Sequence, residues 1–209
     1  MVAEIAGLQE ALLYRPVEHA PDHPFQADGP GPPLVLELRF SNLAETEAAL
    51  ASEALGRLPE RQWSHQAFAA HDFAVPDPLY QTAEPCTFLV QYPGPSPDPR
   101  AWLEHYDAHH PPIMARFPGV RRVATYWPVR WTSRLGWVRA DLMQRNKVAF
   151  DSPGAIAAAL ASPVMAEMRA DRNAFPPFEG GAAHYPMRTQ TIQAPSAPPQ
   201  AGERGAISI

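Results

Sequence analysis

The feature that most constrains the fold of this chain is a short internal repeat. The stretch AGLQEALLYRPV (6–17) aligns with PGVRRVATYWPV (118–129), sharing Gly, Tyr and Pro-Val. The segment from Phe40 to an Ala-Ser pair aligns with the segment that starts at Phe150, without a gap. Because self-similarity within a chain decides its architecture, we interpret the sequence as two related units.

The second copy shows a regular alternation of strands and helices. The sequence predicts strands at 86–92, 120–130, 147–151 and about 182–192. It predicts one helix over 98–117 and another from Ser152 to about Arg172, each starting with a capping residue followed by proline. The resulting order, β-α-β-β-α-β, is that of the ferredoxin-like unit, also called split β-α-β.

The predicted fold class is therefore α+β, with ferredoxin-like units whose two sheets pack as a dimeric α/β barrel. Residues 1–80 are predicted to form an incomplete unit, β-β-α-β, without its own first strand and helix. Residues 81–192 form the complete unit, and 193–209, which lack periodicity, are predicted to be a disordered tail. The incomplete unit leaves apolar surface to cover, which favours a homodimer.

Composition excludes several classes of function. The formal net charge of −5 gives no electrostatic reason to expect nucleic acid or an anionic membrane as a partner. Neither a signal peptide nor an apolar run of the ~18 residues that span a bilayer is visible, so we expect a cytoplasmic protein. The single cysteine, Cys86, excludes an intrachain disulfide and a cysteine zinc cage, and we expect it to be buried.

Two longer segments carry a resemblance to a known family. They are FLVQYPGPSPDPRAWLEHYDAHHPPIMARFPGV and ALASPVMAEMRADRNAF. Their ordered features are His110-Pro111-Pro112, Pro118-Gly119, Ser162-Pro163 and Asn173-Ala174-Phe175. This set resembles the EthD-like branch of the dimeric α/β-barrel superfamily over about 86–190. The chain differs from the family in being a fused, incomplete tandem, so whether the barrel closes within one chain or across a dimer stays open.

The resemblance implies a pocket for a small hydrophobic or aromatic metabolite in a catabolic or biosynthetic pathway. Members of the superfamily include cofactor-independent lactone isomerases, polyketide cyclases, quinone-forming monooxygenases and haem-binding proteins. No cofactor is expected here, because the second helix offers Met165 and Met168 but no histidine for haem. Fold analogy of this kind constrains the site better than the chemistry.

His110 is the first candidate site residue. Leu103, Tyr106, His110, Ile113 and Phe117 recur with spacings of three and four, which predicts one apolar stripe of a helix. His110 therefore lies on the buried side, with Tyr106 one turn before it. A buried imidazole needs a hydrogen-bond partner, since leaving it without one costs a few kcal/mol.

Two prolines follow His110 directly. Pro111 and Pro112 have no N–H group, so the carbonyls of Asp107 and Ala108 lose their partners within the helix. We expect the helix to break or kink there and to open a pocket, lined by His110, between the two packed sheets. The alternative is that His110 is a hydrogen-bonded core histidine and the prolines only end the helix.

The other candidates are aromatic. His184 lies on a predicted strand, opposite in face to Tyr185, and we include it as a substrate-binding residue; His71 occupies a comparable place in the first copy. Tyr126 and Trp127 point to opposite faces of their strand, so one of them faces inward. Tyr126 shares its repeat position with Tyr14, which favours a role in the core, but both Tyr126 and Trp127 stay among the candidates.

Another candidate is His109, which shares a helix flank with His105. Two histidines four residues apart can bind a metal, but no third ligand stands at helical spacing, and Asp107 points elsewhere. We therefore predict no metal site. The segment WTSRLGWVRADLMQRN (131–146) is long for a connection between two strands, and it is either a lid or interface or a folded surface loop.

Two functions remain open. The first is a cofactor-independent enzyme of the isomerase, cyclase or lyase type, or an O₂-dependent monooxygenase, in which His110 is the general acid or base. Tyr106 would orient the substrate or donate a hydrogen bond. The second is a non-catalytic ligand-binding accessory protein of a degradation pathway that uses the same pocket.

Overall fold

The computed structural model describes residues 4–18, 24–25, 31–58, 62–193 and 204–208, the last of these as backbone only. Its strands are β1 (Leu8–Pro16), β2 (Val35–Phe40), β3 (Ser64–His65), β4 (Phe68–Phe73), β5 (Cys86–Tyr92), β6 (Val120–Pro128), β7 (Val138–Arg139), β8 (Gln144–Phe150), β9 (Ala183–Gln193) and β10 (Arg204–Ser208). Its helices are α1 (Leu43–Leu50), α2 (Glu53–Gly56), α3 (Pro99–Met114), α4 (Pro153–Leu160) and α5 (Val164–Asn173). The predicted α+β class is confirmed.

The two helix starts predicted in the second half are present. The Asp98 carboxylate accepts from the Ala101 N–H at 3.0 Å, and the Ser152 hydroxyl accepts from the Ala155 N–H at 3.1 Å. The second helix is divided at Ser162-Pro163, where α4 has ended and α5 begins. Among the described residues, no helix is both long enough and apolar enough to cross a membrane.

Seven strands form one curled antiparallel sheet, in the order β2-β1-β9-β5-β8-β6-β4. The short strand β10 lies between the two edge strands of that sheet, β2 and β4, and closes it into a barrel. Strands β3 and β7 form a separate parallel pair. The barrel therefore closes within one chain.

The barrel consists of two matching halves. The order β9-β5-β8-β6 places the strands of the C-terminal half as fourth, first, third and second, which is the split β-α-β arrangement. The N-terminal half, β4-β10-β2-β1, matches it when β10 takes the place of the first strand. A register shift at Leu8/Glu10 in β1 recurs at the equivalent residues Val120/Arg122 in β6. The structure thus supports the internal repeat.

The prediction of a disordered tail over 193–209 is wrong for Arg204–Ser208, which pair with both β2 and β4. Residues 194–203 and 209 lie outside the described residues. Five residues are too few to show a period, and the strand is stabilised by the two edges that it joins rather than by its own pattern. The homodimer stays a prediction. Among the described residues, the N-terminal half has no helix equivalent to α3, and the surface that this leaves uncovered is the remaining support for a dimer.

The long connection between β6 and β8 covers the outer face of the N-terminal half. Trp131, Leu135 and Trp137 pack against an apolar cluster that includes Leu50 at the end of α1. The Arg134 N–H donates to the Leu50 carbonyl at 3.4 Å. Residues 131–143 are therefore a folded surface connection over α1 and contribute no side chain to the pocket around His110, whereas 144–146 belong to β8.

Each strand of the barrel presents one face to the helices and one to the interior. Along β8, Val148 and Phe150 pack in the cluster beneath α3 to α5, so Arg145, Lys147 and Ala149 face inward. The interior is polar at its centre. There the hydroxyls of Tyr14 and Tyr126 donate to the Glu37 carboxylate at 2.6 and 2.8 Å.

The expected break of α3 after His110 is absent. The helix continues through both prolines to Met114, and the Ala115 N–H still donates to the Pro111 carbonyl at 2.9 Å. Each proline removes one hydrogen bond, but the buried stripe continues through Met114 to Phe117, and its burial holds the helical path.

Candidate active site

A cavity of about 230 Å³ lies between helices α3 and α5 and the outer face of the C-terminal half of the barrel. Its walls are mainly apolar and include Phe25, Phe88, Phe117, Leu160, Met165 and Met168. The pocket was expected between two packed sheets, and that expectation is wrong. The helices stand off the sheet far enough to leave space there. The middle of the barrel holds the polar contacts around Glu37, and further cavities lined by inward-facing residues lie beside them.

His110 lines this cavity and is only 5 % exposed. Its Nδ1 lies 2.6 Å from Oδ2 of Asp171 on α5. A neutral imidazole in that contact donates from Nδ1–H to the carboxylate, so Nε2 keeps its lone pair and is the nitrogen left for a ligand. The ring also packs against Tyr106 and Phe175, with centroid distances of 4.8 and 4.9 Å.

The environment of His110 favours the neutral ring. Burial lowers the pKa of the imidazole from its ordinary value of 6.5, and the positive charge of Arg172 lowers it further. The hydrogen bond and the charge of Asp171 raise the pKa, but they offset only part of the burial. At pH 7 the group is therefore a base rather than an acid.

Tyr106 and Asn146 form a second polar pair in the cavity wall. The Asn146 side-chain N–H donates to the Tyr106 oxygen at 2.5 Å, and both residues are fully buried. Burial raises the pKa of Tyr106 well above its ordinary value, so its hydroxyl stays protonated. Oδ1 of Asn146 has no hydrogen-bond partner among the described residues. A ligand that donates a hydrogen bond would satisfy it.

His184 lies at the opposite wall of the same cavity. Its ring stacks on Phe25 with a centroid distance of 3.9 Å and lies 5.6 Å from the ring of Phe88. The strand alternation that made His184 a candidate holds, since Tyr185 and Met187 face the barrel interior instead.

Cationic side chains line the α5 side of the cavity. Arg169 and Arg172 both belong to its wall, together with Asn173. The guanidinium of Arg172 lies 4.5 Å from the ring centroid of Phe178, a cation–π contact that holds it in place. The positive charge beside His110 is suited to a ligand that is, or becomes, negatively charged.

Three sequence candidates lie elsewhere. Tyr126 is in the barrel interior on Glu37, and Trp127 packs at the edge of the cluster beneath the helices without lining the cavity. His109 is on the outer side of α3, with its Nδ1 on the His105 carbonyl at 2.8 Å. Among the described residues, no three His, Cys, Asp or Glu side chains are grouped closely enough to hold a metal ion.

His71, which the repeat set against His184, is not in the cavity either. Its Nδ1 lies 3.0 Å from Oδ2 of Asp107, so α3 carries two His–carboxylate contacts on different faces. Neither His71 nor Asp107 lines the cavity, and their contact ties α3 to strand β4. Asp107 thus points away from the pocket.

Besides Arg172, sequence reasoning missed two polar residues of the site, Asp171 and Asn146. Asp171 follows Met165 and Met168 at intervals of three, so the spacing places it beside the face of α5 that lines the pocket, where it reaches His110. Asn146 alternates with Val148 on the helix-facing side of β8, where a polar residue is unusual. A buried polar residue in an apolar period is the signal that could have identified both.

No family model matches this chain, and no curated protein matches it in sequence. Among solved structures, the chain is similar to a protein described as "putative monooxygenase from Lactobacillus acidophilus NCFM". The TM-score is 0.49 and the identity 11%, over 91% of this chain and 82% of that one. At this level the likeness does not indicate an activity for this chain.

Proposed function

We propose that this protein is an enzyme that moves a proton on a small hydrophobic, cyclic or aromatic molecule, with His110 as the general base. The observation that carries the proposal is the contact of 2.6 Å between His110 Nδ1 and Asp171 in the wall of a mainly apolar cavity. A carboxylate on one ring nitrogen fixes the tautomer and stabilises the imidazolium that forms when the other nitrogen accepts a proton.

The neighbouring groups suit the charge that such a reaction creates. Removing a proton next to a carbonyl leaves an enolate, whose oxygen needs hydrogen-bond donors or positive charge. The protonated Tyr106 hydroxyl and the Arg172 guanidinium stand in the same cavity wall as His110. In this proposal Tyr106 orients the substrate and donates to its oxygen, while the charge of Arg172 lowers the energy of the anion.

The cavity limits the substrate to a small molecule. A volume of about 230 Å³ is below the ~300–1,000 Å³ of typical drug-sized sites, so one or two fused rings are suitable. Stacking surfaces are provided by Phe25, Phe88 and His184. These features support an aromatic or cyclic ligand that binds with its flat face against them.

The EthD-like resemblance leads to the same class of substrate. The resemblance also suggests four cofactor-independent reaction types that can begin with proton removal: isomerisation, cyclisation, lyase chemistry and O₂-dependent oxidation. Within this range we propose proton transfer at a carbon next to a carbonyl as the common step. It needs only the proton acceptor and the oxygen-binding groups of the cavity.

The proposal is tested by deuterium exchange. A panel of small enolisable ring compounds, such as 2-tetralone, cyclohexanone and an enol lactone, is incubated with the enzyme in D₂O and followed by ¹H NMR. We expect catalysed exchange at the acidic carbon, reduced on the order of 100-fold in His110→Asn, since a positioned base contributes roughly 10²–10⁴-fold. His109→Asn, one residue earlier on the exposed side of α3, is the matched control.

Two results would speak against this assignment. Exchange that His110→Asn leaves unchanged would remove His110 from the reaction. Calorimetric binding of the panel without exchange, equal in both variants, would instead favour a non-catalytic accessory protein that holds a pathway intermediate in the same cavity.

A further inference from the structure

Among the described side chains, the barrel interior holds more positive than negative charge. The inward-facing charged side chains among the described residues are Glu10, Glu37, Asp72, Arg39, Arg122, Lys147 and Arg145. Lys147 pairs with Glu37 at 2.9 Å, and the arginines of β2 and β6 share the two remaining carboxylates at 2.5 to 3.6 Å. Three carboxylates thus meet three cations, and the fourth cation, Arg145, is left over.

Arg145 lies on β8 with its side chain turned into the barrel. In the sheet it is paired with Gln91 on β5 and with Tyr126 on β6. Its guanidinium makes no hydrogen bond or ion pair with any described residue, and its Nε is buried without a partner. The centroid of the Phe68 ring is 5.4 Å from Cζ of Arg145.

Arg145 is partly buried, its Nε is buried without a partner, and its guanidinium has no counterion among the described residues, which is unfavourable. Burial lowers the pKa of Arg145 from its ordinary value, and the more distant Glu37 offsets only part of this effect. Proteins pair buried charges because desolvation is otherwise uncompensated. An unpaired cation that lines a cavity therefore indicates a binding site in which an anionic group of the ligand supplies the counterion.

The space beside Arg145 is a cavity of about 290 Å³ that shares no lining residue with the cavity at His110. Gln91 and Arg145 supply its polar groups from the barrel side. Trp63 and Trp137 line it as well, with their rings stacked at a centroid distance of 5.6 Å. The cavity thus combines one free cation of the described chain with a large aromatic surface.

His65 lies in the same wall but adds no charge. Its Nδ1 is 3.2 Å from the Val138 carbonyl and its Nε2 is 3.0 Å from the Ser133 hydroxyl, so both nitrogens are occupied. Burial lowers its pKa from the ordinary value, and the hydrogen bond to Val138 offsets only part of that. The neutral ring packs edge-on against Trp137 at 5.4 Å. Among the described residues, Arg145 is therefore the one charged side chain that lines this cavity.

We propose that this cavity is a second binding site, for a small aromatic monocarboxylate. The carboxylate would bind the guanidinium of Arg145 through two N–H groups and the Gln91 amide through a third, and the ring would lie against the tryptophans. One negative charge balances the one excess cation among the described side chains of the barrel interior, which favours a monoanion over a dianion or a neutral molecule. The site is independent of the chemistry proposed at His110.

The test is isothermal titration calorimetry with naphthalene-2-carboxylate and, as its neutral counterpart of equal size, naphthalene-2-carboxamide. We expect the carboxylate to bind the wild-type protein at least 10-fold more tightly than the amide. Arg145→Met should weaken carboxylate binding at least 10-fold. Arg139→Met, an exposed arginine on Trp131 near the same end of the barrel, should leave it unchanged.

Three outcomes would overturn the proposal. Equal binding of acid and amide by the wild-type protein would show that the charge is not recognised, and this comparison needs no variant to fold. Unchanged binding in Arg145→Met would place the carboxylate elsewhere. Loss of binding in His110→Asn would place it in the other cavity. Because deuterium exchange at His110 is measured separately, failure of either proposal leaves the other standing.

Discussion

The protonation state of His110 sets the pH range in which this site can act as a base. Burial lowers its pKa below the ordinary 6.5, so the ring is neutral at and above neutral pH. We therefore expect the acid limb of the exchange rate to lie below pH 6.5, with a plateau above it. A pH–rate profile checks this, and a limb above pH 6.5 would contradict it.

Asp171 is expected to be a positioning residue. Its carboxylate raises the pKa of His110 against the effect of burial, so Asp171→Asn should move the acid limb to still lower pH. The plateau should fall by at least ~10-fold, because the imidazolium formed in the reaction loses its partner. Glu167→Gln, one turn earlier on α5 and paired with Arg116 at the surface, is the control. A lower plateau with an unmoved limb would indicate a purely structural role.

At this scale the sequence identified His110, the proposed base, but not its partner Asp171. His110 was recognisable because it interrupts an apolar stripe on its own helix. Asp171 and Asn146 are contributed by other elements, and their contacts depend on how α5 and β8 meet α3. The spacing of residues within one element does not predict its contacts with another element. From the sequence alone, those residues could therefore be named only as candidates for the site.

Helix α3 shows a local rule overridden by packing. Proline in a helix interior costs ~3 kcal/mol and normally marks an end, yet α3 passes through two of them. The buried side chains before and after the prolines, Tyr106 and Met114 among them, lie on one face and are stabilised together. The cap at Asp98 depends on local chemistry alone, and the sequence predicted it correctly.

This balance can be measured at Pro112, the exposed one of the two. Pro112→Ala supplies an N–H for the Ala108 carbonyl and should raise the free energy of unfolding by ~1–3 kcal/mol. Urea denaturation gives this value. Pro97→Ala, an exposed proline before the helix, has no such bond to gain and should leave stability equal or slightly lower. A destabilised Pro112→Ala would mean that the packing of α3 requires the proline geometry.

Across the whole molecule, the two halves meet through residues at equivalent repeat positions. Glu37 and Lys147 are equivalent when Phe40 is set on Phe150, and they form the buried pair at the centre. Burial would raise the pKa of Glu37, but the charges of Lys147 and Arg39 outweigh it and lower the pKa to about 2. Two fused copies can differ in sequence, so they can place opposite charges at equivalent positions that meet at the centre of the barrel. Two identical subunits would bring the same residue together with itself there.

A charge swap tests this arrangement. Glu37→Lys and Lys147→Glu should each destabilise the fold by at least ~3–5 kcal/mol, since each leaves two like charges buried together. The double variant should recover most of the loss, because the Tyr14 hydroxyl lies 3.2 Å from Nζ of Lys147 and can reach a carboxylate there. Urea denaturation of the four proteins gives the coupling energy. Additive losses would contradict a direct pair.

The same swap at Arg116 and Glu167 is a surface control. Both side chains are about half exposed, at 54% and 53%, so each single change should alter stability by less than ~1 kcal/mol. A surface swap as damaging as the buried one would mean that the losses report global charge rather than the central contact.

The position of β10 in the chain has a consequence for biosynthesis. Strands β2 and β4 leave the ribosome long before residues 204–208, so the slot between them stays open while the rest of the polypeptide is made. During that interval the nascent protein exposes two unpaired strand edges, the surfaces that most readily pair with another molecule. Elongation therefore sets how long the chain is vulnerable to aggregation, and the arrival of its late closing strand ends that exposure.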